Sequence, residues 1–265
     1  SKIFKKLFES RKYSDRDGRW LYIKLDKRVT KINKKIMLED LNSFSKKIQG
    51  KIKFNYSLKK HTWLNIGGNA KIFFVPETLI ELKDFLLYLK KKNLSPFIIG
   101  AGSNLLISEN IQNRIFIKLG KNFNKISLTK DNVIIAGCSI LDKNVSNFAC
   151  ENHLSGLEFL SCIPGSIGGG IRMNSGCFGK EFKDVLLSVQ VMDLNGNVHT
   201  INSKNIRFDY RQTDLPKNLI FLSASFKTTK KDKTQIEENI NKLKEKKQNS
   251  QPLRVKTGGS TFKNP

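Results

Sequence analysis

Histidine is scarce in this chain: His61, His153 and His199 are the only three in 265 residues. Cysteine occurs four times, at Cys138, Cys150, Cys162 and Cys177, and no two form a C-x-x-C pair. Zinc is held by closely spaced ligands of these two kinds, so the spacing argues against a zinc site, and no metal is expected. The thiols read as reduced cysteines, and the cytoplasm is the expected location. No apolar run approaches the roughly 18–20 residues that a membrane span requires. The best candidate, residues 79–89, is interrupted by Glu81, Lys83 and Asp84 and reads as an amphipathic helix. The N-terminus is basic but has no apolar stretch or small-residue cleavage site, so no secretory signal is expected. There is no internal repeat.

Acidic residues are also few. Lys and Arg number 48 against 23 Asp and Glu, a formal charge of +25. Such a charge favours anionic partners. Most of the excess is lysine, scattered through stretches rich in Asn and Ile, which reads as a compositional bias. No basic stripe is interleaved with aromatics in the manner of a single-strand binder, so nucleic acid is not an expected partner. An anionic small substrate is compatible with the charge.

The hydrophobic content, 38%, is adequate for a packed core. Residues 1–36 are strongly basic with weak periodicity. Two readings stand: a basic extension, or sequence upstream of a start at Met37, of which the second is preferred. From Met37 the pattern becomes helical, with Leu38, Leu41, Phe44 and Ile48 on one face. A strand is predicted at 70–75, ending at Pro76. Thr78 then caps a helix over 79–91, with Glu81 completing a capping box. Short strands follow at 96–99, 105–108, 114–119 and 132–136, and a helix at 141–151. Residues 185–194 and 197–201 form a hairpin around the turn dipeptide Asn195–Gly196. A buried strand at 219–226 and a charged helix at 235–248 complete an α+β or mixed α/β chain.

Four glycine-bearing segments punctuate these elements: TWLNIGGNA (62–70), GAGSNLLI (100–107), IPGSIGGGIRMNSGCFG (163–179) and TGGSTFKNP (257–265). Glycine allows positive φ and close approach of backbone to a ligand. Successive N–H groups in such turns make anion-binding concavities. GAGSN after a strand is therefore a candidate pyrophosphate cradle, with Ser103 and Asn104 adding hydrogen bonds. It is not the Rossmann fingerprint, lacking the third glycine and a following helix, nor a phosphate loop ending in Gly-Lys-Ser/Thr. Taken singly each segment is a tight turn; four in this order say more.

The ordered motifs IGGNA, GAGSNLLIS, GLEFLSCIPGSIGGGIRMNSGCFGKE, FDYRQTDL and GGSTFKNP resemble those of the UDP-N-acetylenolpyruvoylglucosamine reductases, from about Tyr56 to Pro265. The segment IPG-x-IGG-x-x-x-x-N-x-G is the most specific. The resemblance implies an α+β, FAD-binding, vanillyl-alcohol-oxidase-like (PCMH-type) fold of two subdomains, followed by a substrate-binding C-terminal domain. It divides the chain into a basic segment (1–36), an N-terminal helix and lead-in (37–61), a FAD-binding domain (62–228) and the start of the substrate domain (229–265). It implies non-covalent FAD, NADPH as co-substrate and UDP-N-acetylglucosamine enolpyruvate as substrate. The expected protein is a monomeric oxidoreductase of peptidoglycan precursor synthesis, and so of cell-wall biogenesis, shape and division. In the family reaction NADPH reduces FAD, hydride passes from flavin N5 to C3 of the enolpyruvyl group, and a proton is delivered to C2.

Residue by residue, the resemblance makes Ser260 the donor of that proton and Arg211 the contact for the substrate carboxylate. Tyr210, Lys263 and Asn264 are expected to contact substrate. FAD is expected on Gly100, Gly102, Ser103, Asn104 and Leu105. A second wall is formed by Ile163, Pro164, Gly165, Ile167, Gly168 and Gly169, with Asn174 and Gly176 nearby. Ile66, Gly67 and Gly68 are expected to pack the first subdomain. Asn65 stands where the family often has an arginine. The short path from FDYR to the charged helix predicts the version without a substrate-covering loop. No residue matches the family's C-terminal glutamate, so the substrate domain is expected to be incomplete and the chain to turn over poorly. Two alternatives remain: another flavin oxidoreductase of the same fold, such as an alcohol oxidase, and a basic nucleic-acid-binding protein. The FDYR and GGSTFKNP motifs count against the first, and the second predicts salt-sensitive binding that needs no flavin.

Overall fold

The structure, a computed structural model, describes residues 21–22, 34–110 and 112–250. Ser260, Lys263 and Asn264 lie outside the described residues, as does most of the basic N-terminal segment.

The elements in chain order are α1 (Lys34–Ser45), β1 (Lys51–Ser57), β2 (Asn69–Val75), α2 (Leu79–Lys91), β3 (Pro96–Ile98), β4 (Gln112–Ile117), β5 (Ile126–Leu128), β6 (Val133–Gly137), α3 (Asp142–Glu151), α4 (Ile167–Arg172), β7 (Leu186–Met192), β8 (Val198–Asn202), β9 (Ile220–Lys227) and α5 (Lys233–Ser250), joined by shorter turns and bridges.

Strands β1, β2, β4 and β3 form the first sheet in that order, β1 antiparallel to β2 and the other pairs parallel. Ile72 pairs with Ile115, Phe73 with Phe116 and Phe74 with Ile117. Side chains alternate across a strand, so this register sends Ile72, Phe74, Ile115 and Ile117 to one face. There they meet Leu82, Phe85, Leu86 and Leu89 of α2. Phe73 and Phe116 point the other way, against Leu58, Ile99 and Ile107. Both faces are covered, which is why these strands read as continuous apolar runs.

The predicted capping box is present. Thr78 Oγ1 accepts from Glu81 N at 3.2 Å, and Glu81 Oε2 accepts from Thr78 N at 3.4 Å. Glu81 does more than cap: its carboxylate also accepts from Gln49 N, Gly50 N and Glu77 N at 2.7, 3.2 and 2.8 Å. One side chain thereby satisfies orphan donors of the helix start and fixes the entry to β1.

The second sheet has the order β8-β7-β9-β6-β5 and is antiparallel throughout. One face buries Ile134, Ala136, Val189, Val191 and Phe226 beneath Val145 and Ala149 of α3 and Ile167 and Ile171 of α4. From the same sheet Met192, Ile220 and Leu222 join the cluster around α2. The helix is thus wedged between the two sheets and locks them together. Ile236 and Ile240 of α5 pack on Cys150.

Most predicted elements form. The differences have local causes. The predicted strand 105–108 shrinks to Leu105–Leu106, and 114–119 moves to Gln112–Ile117. Strands β1 and β5 were not expected. β1 is an edge strand upstream of residue 62, so the first sheet begins at Lys51. The glycine run at 167–172 winds into α4. The hairpin β7–β8 turns as expected, with Gly196 at φ 77°. Asp193 Oδ1 accepts from Asn195 N and Asn197 N at 2.8 and 2.9 Å.

Candidate functional site

The loop 100–105 leaves β3 and turns at Gly102, whose φ of 76° belongs to the left-handed region. A Cβ there would collide with the His61 carbonyl, so the loop lies flat on the 61–63 backbone, and Trp63 N donates to Gly102 O at 3.1 Å. Lys118 Nζ donates to Gly100 O at 2.9 Å, and burial lowers the pKa of this lysine. The TWLNIGGNA segment backs this wall. Gly68 N donates to Ser108 O and Leu58 N to Gly68 O, and Gly67 lies against Leu58 and Ile107, a packing role as expected.

The second glycine segment faces the first. A Cβ on Gly100 would lie 2.6 Å from Ser166 Oγ, and one on Gly165 would lie 2.7 Å from Asp142 Oδ2 and 3.8 Å from Ser103 Oγ. Gly100, Ser103, Gly165 and Ser166 thus meet across about sixty residues of chain. The second wall is stitched to the second sheet: Ile167 N donates to Ile140 O at 3.0 Å and Gly168 N to Cys138 O at 2.9 Å. The side chain of Ile167 is fully buried in the core, so only its backbone can face a ligand. Gly168 packs on Cys138 for the same reason. Gly169 stands open above Ser166, with Ile163 and Pro164 ahead of it in the entering turn.

Sequence reasoning missed the polar groups beneath these walls. Asp142, Ser146 and Ser166 are buried, and both carboxyl oxygens and both hydroxyls lack a hydrogen-bond partner among the described residues. Burial pushes the Asp142 carboxyl well above the usual carboxylate range, so it holds a proton. Burial raises the pKa of the Cys138 thiol beside it as well.

The third part of the site is a turn. Phe208–Asp209 and Gln212–Thr213 pair as a short hairpin, leaving Tyr210 and Arg211 at its tip. Arg211 has φ 57°. Its Nη2 donates to Gly176 O at 3.1 Å and its Nη1 to Asn174 O at 3.5 Å, while the guanidinium sits 5.3 Å from the Tyr210 ring. This brings the FDYR motif onto the NSG motif. Tyr210 and Phe178 are exposed beside it. Asn174, expected near the flavin, is fully buried. Its Nδ2 donates to Glu181 Oε2 at 2.9 Å and to Asp209 O at 3.2 Å, and its Oδ1 accepts from Lys183 N at 3.1 Å. Its amide is engaged by Glu181, Asp209 and Lys183 of the chain itself. Arg172, not singled out in the sequence, donates to Leu215 O, Pro216 O and Leu219 O and anchors the chain after FDYR. Burial lowers its pKa to about 10. The only signal for it was a basic residue ending a glycine run.

Comparison with known proteins bears on this arrangement. A family described as FAD binding domain matches residues 70–202, the stretch that carries both glycine walls. The UDP-N-acetylenolpyruvoylglucosamine reductase of Pelagibacter ubique is 53% identical over 230 residues, spanning 86% of this chain and 75% of that protein. The chain belongs to the UDP-N-acetylenolpyruvoylglucosamine reductase family. The crystal structure of the Thermus caldophilus UDP-N-acetylenolpyruvylglucosamine reductase superposes with a TM-score of 0.70 at 29% identity, covering 82% of this chain and 76% of that one. Physcomitrella patens BBE-like 1 matches at TM-score 0.53 and 16% identity, over 72% of this chain and 44% of that one, and shares the fold.

The residues present fit a flavin nucleotide. Where the walls meet, the buried Ser166 hydroxyl has no hydrogen-bond partner among the described residues, and Gly100, Gly102, Ser103 and Gly165 make the surrounding turns a side-chain-poor surface suited to a pyrophosphate. Gly169, with open space above Ser166, extends that surface. No group of His, Cys, Asp and Glu among the described residues is placed to hold a metal ion. No described helix is long and apolar enough to cross a membrane.

Proposed function

We propose that the protein catalyses the NADPH-dependent reduction of UDP-N-acetylglucosamine enolpyruvate to UDP-N-acetylmuramate, with FAD held non-covalently between the two glycine walls. The observation that carries this reading is the junction of Arg211 with Gly176 in a chain of this family. When bound, FAD supplies hydride transfer from NADPH to the substrate. Everything else falls to side chains and backbone of this chain.

Gly100, Gly102, Ser103, Asn104 and Leu105 offer backbone and hydroxyl donors to the pyrophosphate. Ile163, Pro164, Gly165, Gly168 and Gly169 close the opposite side. Arg211 presents a planar, permanently charged fork to the substrate carboxylate, where negative charge builds as C3 is reduced. Two of its N–H groups are used on Asn174 O and Gly176 O, which fixes the fork while leaving its other donors for substrate. A preorganised donor of this kind is worth about 10²–10³ in rate. Ser260 delivers the proton to C2. A serine hydroxyl is a weak acid, so it serves only when held against a strongly basic carbon, and placement matters more than pKa. Tyr210, Lys263 and Asn264 line the substrate, and the excess positive charge of the chain favours the anionic UDP-sugar. In this reading residues 62–228 hold the flavin, residues from 229 onward begin the domain that covers the substrate, and the protein works as a monomer in the cytoplasm.

The test is a comparison of wild type with Ser260→Ala, each loaded with FAD. In wild type, NADPH consumption should depend on added UDP-N-acetylglucosamine enolpyruvate. Ser260→Ala should keep flavin reduction by NADPH and lose turnover. A flavin-bearing wild type that ignores this substrate would overturn the assignment and point to another reaction of the fold.

A further inference from the structure

We infer that Asn174 is a positioning residue that sets the Arg211 guanidinium for the substrate carboxylate. The inference rests on the reading of Arg211 given above. Arg211 occupies a left-handed backbone conformation, unusual for a non-glycine residue, and Asn174 does too, with φ values of 57° and 40°. The Arg211 conformation needs support from neighbouring groups. Asn174 supplies it in both directions. Its Nδ2 reaches across to Asp209 O, two residues before Arg211, and its own carbonyl accepts from Arg211 Nη1. The turn is therefore held at its backbone and at its side chain by one residue.

Glu181 extends the chain of contacts. Its Oε2 accepts from Asn174 Nδ2 and lies 2.8 Å from Lys183 Nζ, while Lys183 N donates to Asn174 Oδ1. These bonds settle which way the Asn174 amide faces, so that its Nδ2 and not its Oδ1 meets Asp209 O. Replacing the amide nitrogen by oxygen places an acceptor against both the Asp209 carbonyl and the Glu181 carboxylate. The network lies at the far end of the second glycine segment, around Gly176 and away from Gly165 and Gly169, so its loss should act chiefly on the substrate half of the reaction.

The experiment uses Asn174→Asp, Glu181→Ala and Arg211→Lys, singly and with each of the first two combined with the third. Each is assayed for flavin affinity, for the rate of flavin reduction by NADPH, and for the rate at which the enolpyruvyl substrate reoxidises the reduced flavin. Affinity for UDP-N-acetylmuramate is compared with that for UDP-N-acetylglucosamine, which lacks the carboxylate. Asn174→Asp should slow reoxidation and weaken UDP-N-acetylmuramate binding by roughly tenfold or more, as small misplacements of a catalytic group do. Flavin affinity, flavin reduction and UDP-N-acetylglucosamine binding should be unchanged. Glu181→Ala, which leaves the buried amide in place, should show the same pattern more weakly and carries the test if Asn174→Asp does not fold. In the Arg211→Lys background neither change should cost more than about twofold, because coupled residues are not additive. Equal losses in both half-reactions, or effects that multiply with Arg211→Lys, overturn the inference while leaving Arg211 in its role. An Arg211→Lys variant with normal reoxidation and normal UDP-N-acetylmuramate binding overturns the underlying reading of Arg211, and the inference falls with it.

Discussion

Ser166 Oγ lies 2.6 Å from the point a Cβ on Gly100 would occupy. This approach leaves no room for a methyl group on Gly100 while the Ser166 hydroxyl keeps its present orientation. The neighbour that must give way is a hydroxyl on a short side chain, which can rotate. At Gly102 the neighbour is the His61 backbone carbonyl, which cannot, and the φ of 76° is itself strained for an L-residue.

The two substitutions should therefore separate. Gly102→Ala should cost about 1–3 kcal/mol of stability and yield protein with little flavin. Gly100→Ala should fold with nearly the wild-type melting temperature but bind FAD more weakly. Flavin absorbance per chain after purification, paired with thermal melts of the flavin-free proteins, checks both. Identical behaviour of the two variants would refute the distinction between a backbone and a side-chain neighbour.

Asp142 makes stability depend on pH in an unusual direction for a carboxylate. Burial raises its folded pKa, so above the ordinary carboxylate pKa the folded chain keeps a proton that the unfolded chain has released. Its contribution is full below the unfolded value and is lost as pH rises toward the folded one. Asp142→Asn, an isostere that cannot ionise, should melt at a higher temperature than wild type in mildly alkaline buffer, and the gap should close on acidification. A gap that widens in acid would show that Asp142 is charged in the folded protein.

His61 acts with the opposite sign. Its ring stacks on Phe73 at 4.6 Å, and burial, followed by the charges of Lys118 and Lys53, lowers its pKa from 6.5 to about 4. The folded chain thus resists a proton that the unfolded chain accepts. The stability it contributes is complete above 6.5 and is lost as pH falls through about 4. His61→Phe keeps the stack and removes the titration, so its melting temperature should fall less steeply between these two pH values than that of wild type. Parallel melting profiles over that window would rule out this role for His61.

The sequence by itself determined everything that depends on neighbours a few residues apart. Thr78 and Glu81 form their capping box because three helical residues bring side chain to backbone, whatever the rest of the chain does. Asn195–Gly196 turns because glycine tolerates the required φ. The motif order was enough to name the family. What pairing distant segments produces was not legible. Propensity reads the glycine run at 167–172 as loop. It is a helix, packed so closely that a Cβ on Gly170 would collide with the Phe182 ring. The partners of the Asn174 amide, Glu181 and Asp209, stand 7 and 35 residues away. Arg172 gave no signal because its partners are backbone carbonyls more than forty residues on, and a carbonyl carries no sequence identity. Local chemistry settles the elements and the motifs, while the burial that turns a polar side chain into a ligand contact or a strut exists only once the two sheets have closed around α2.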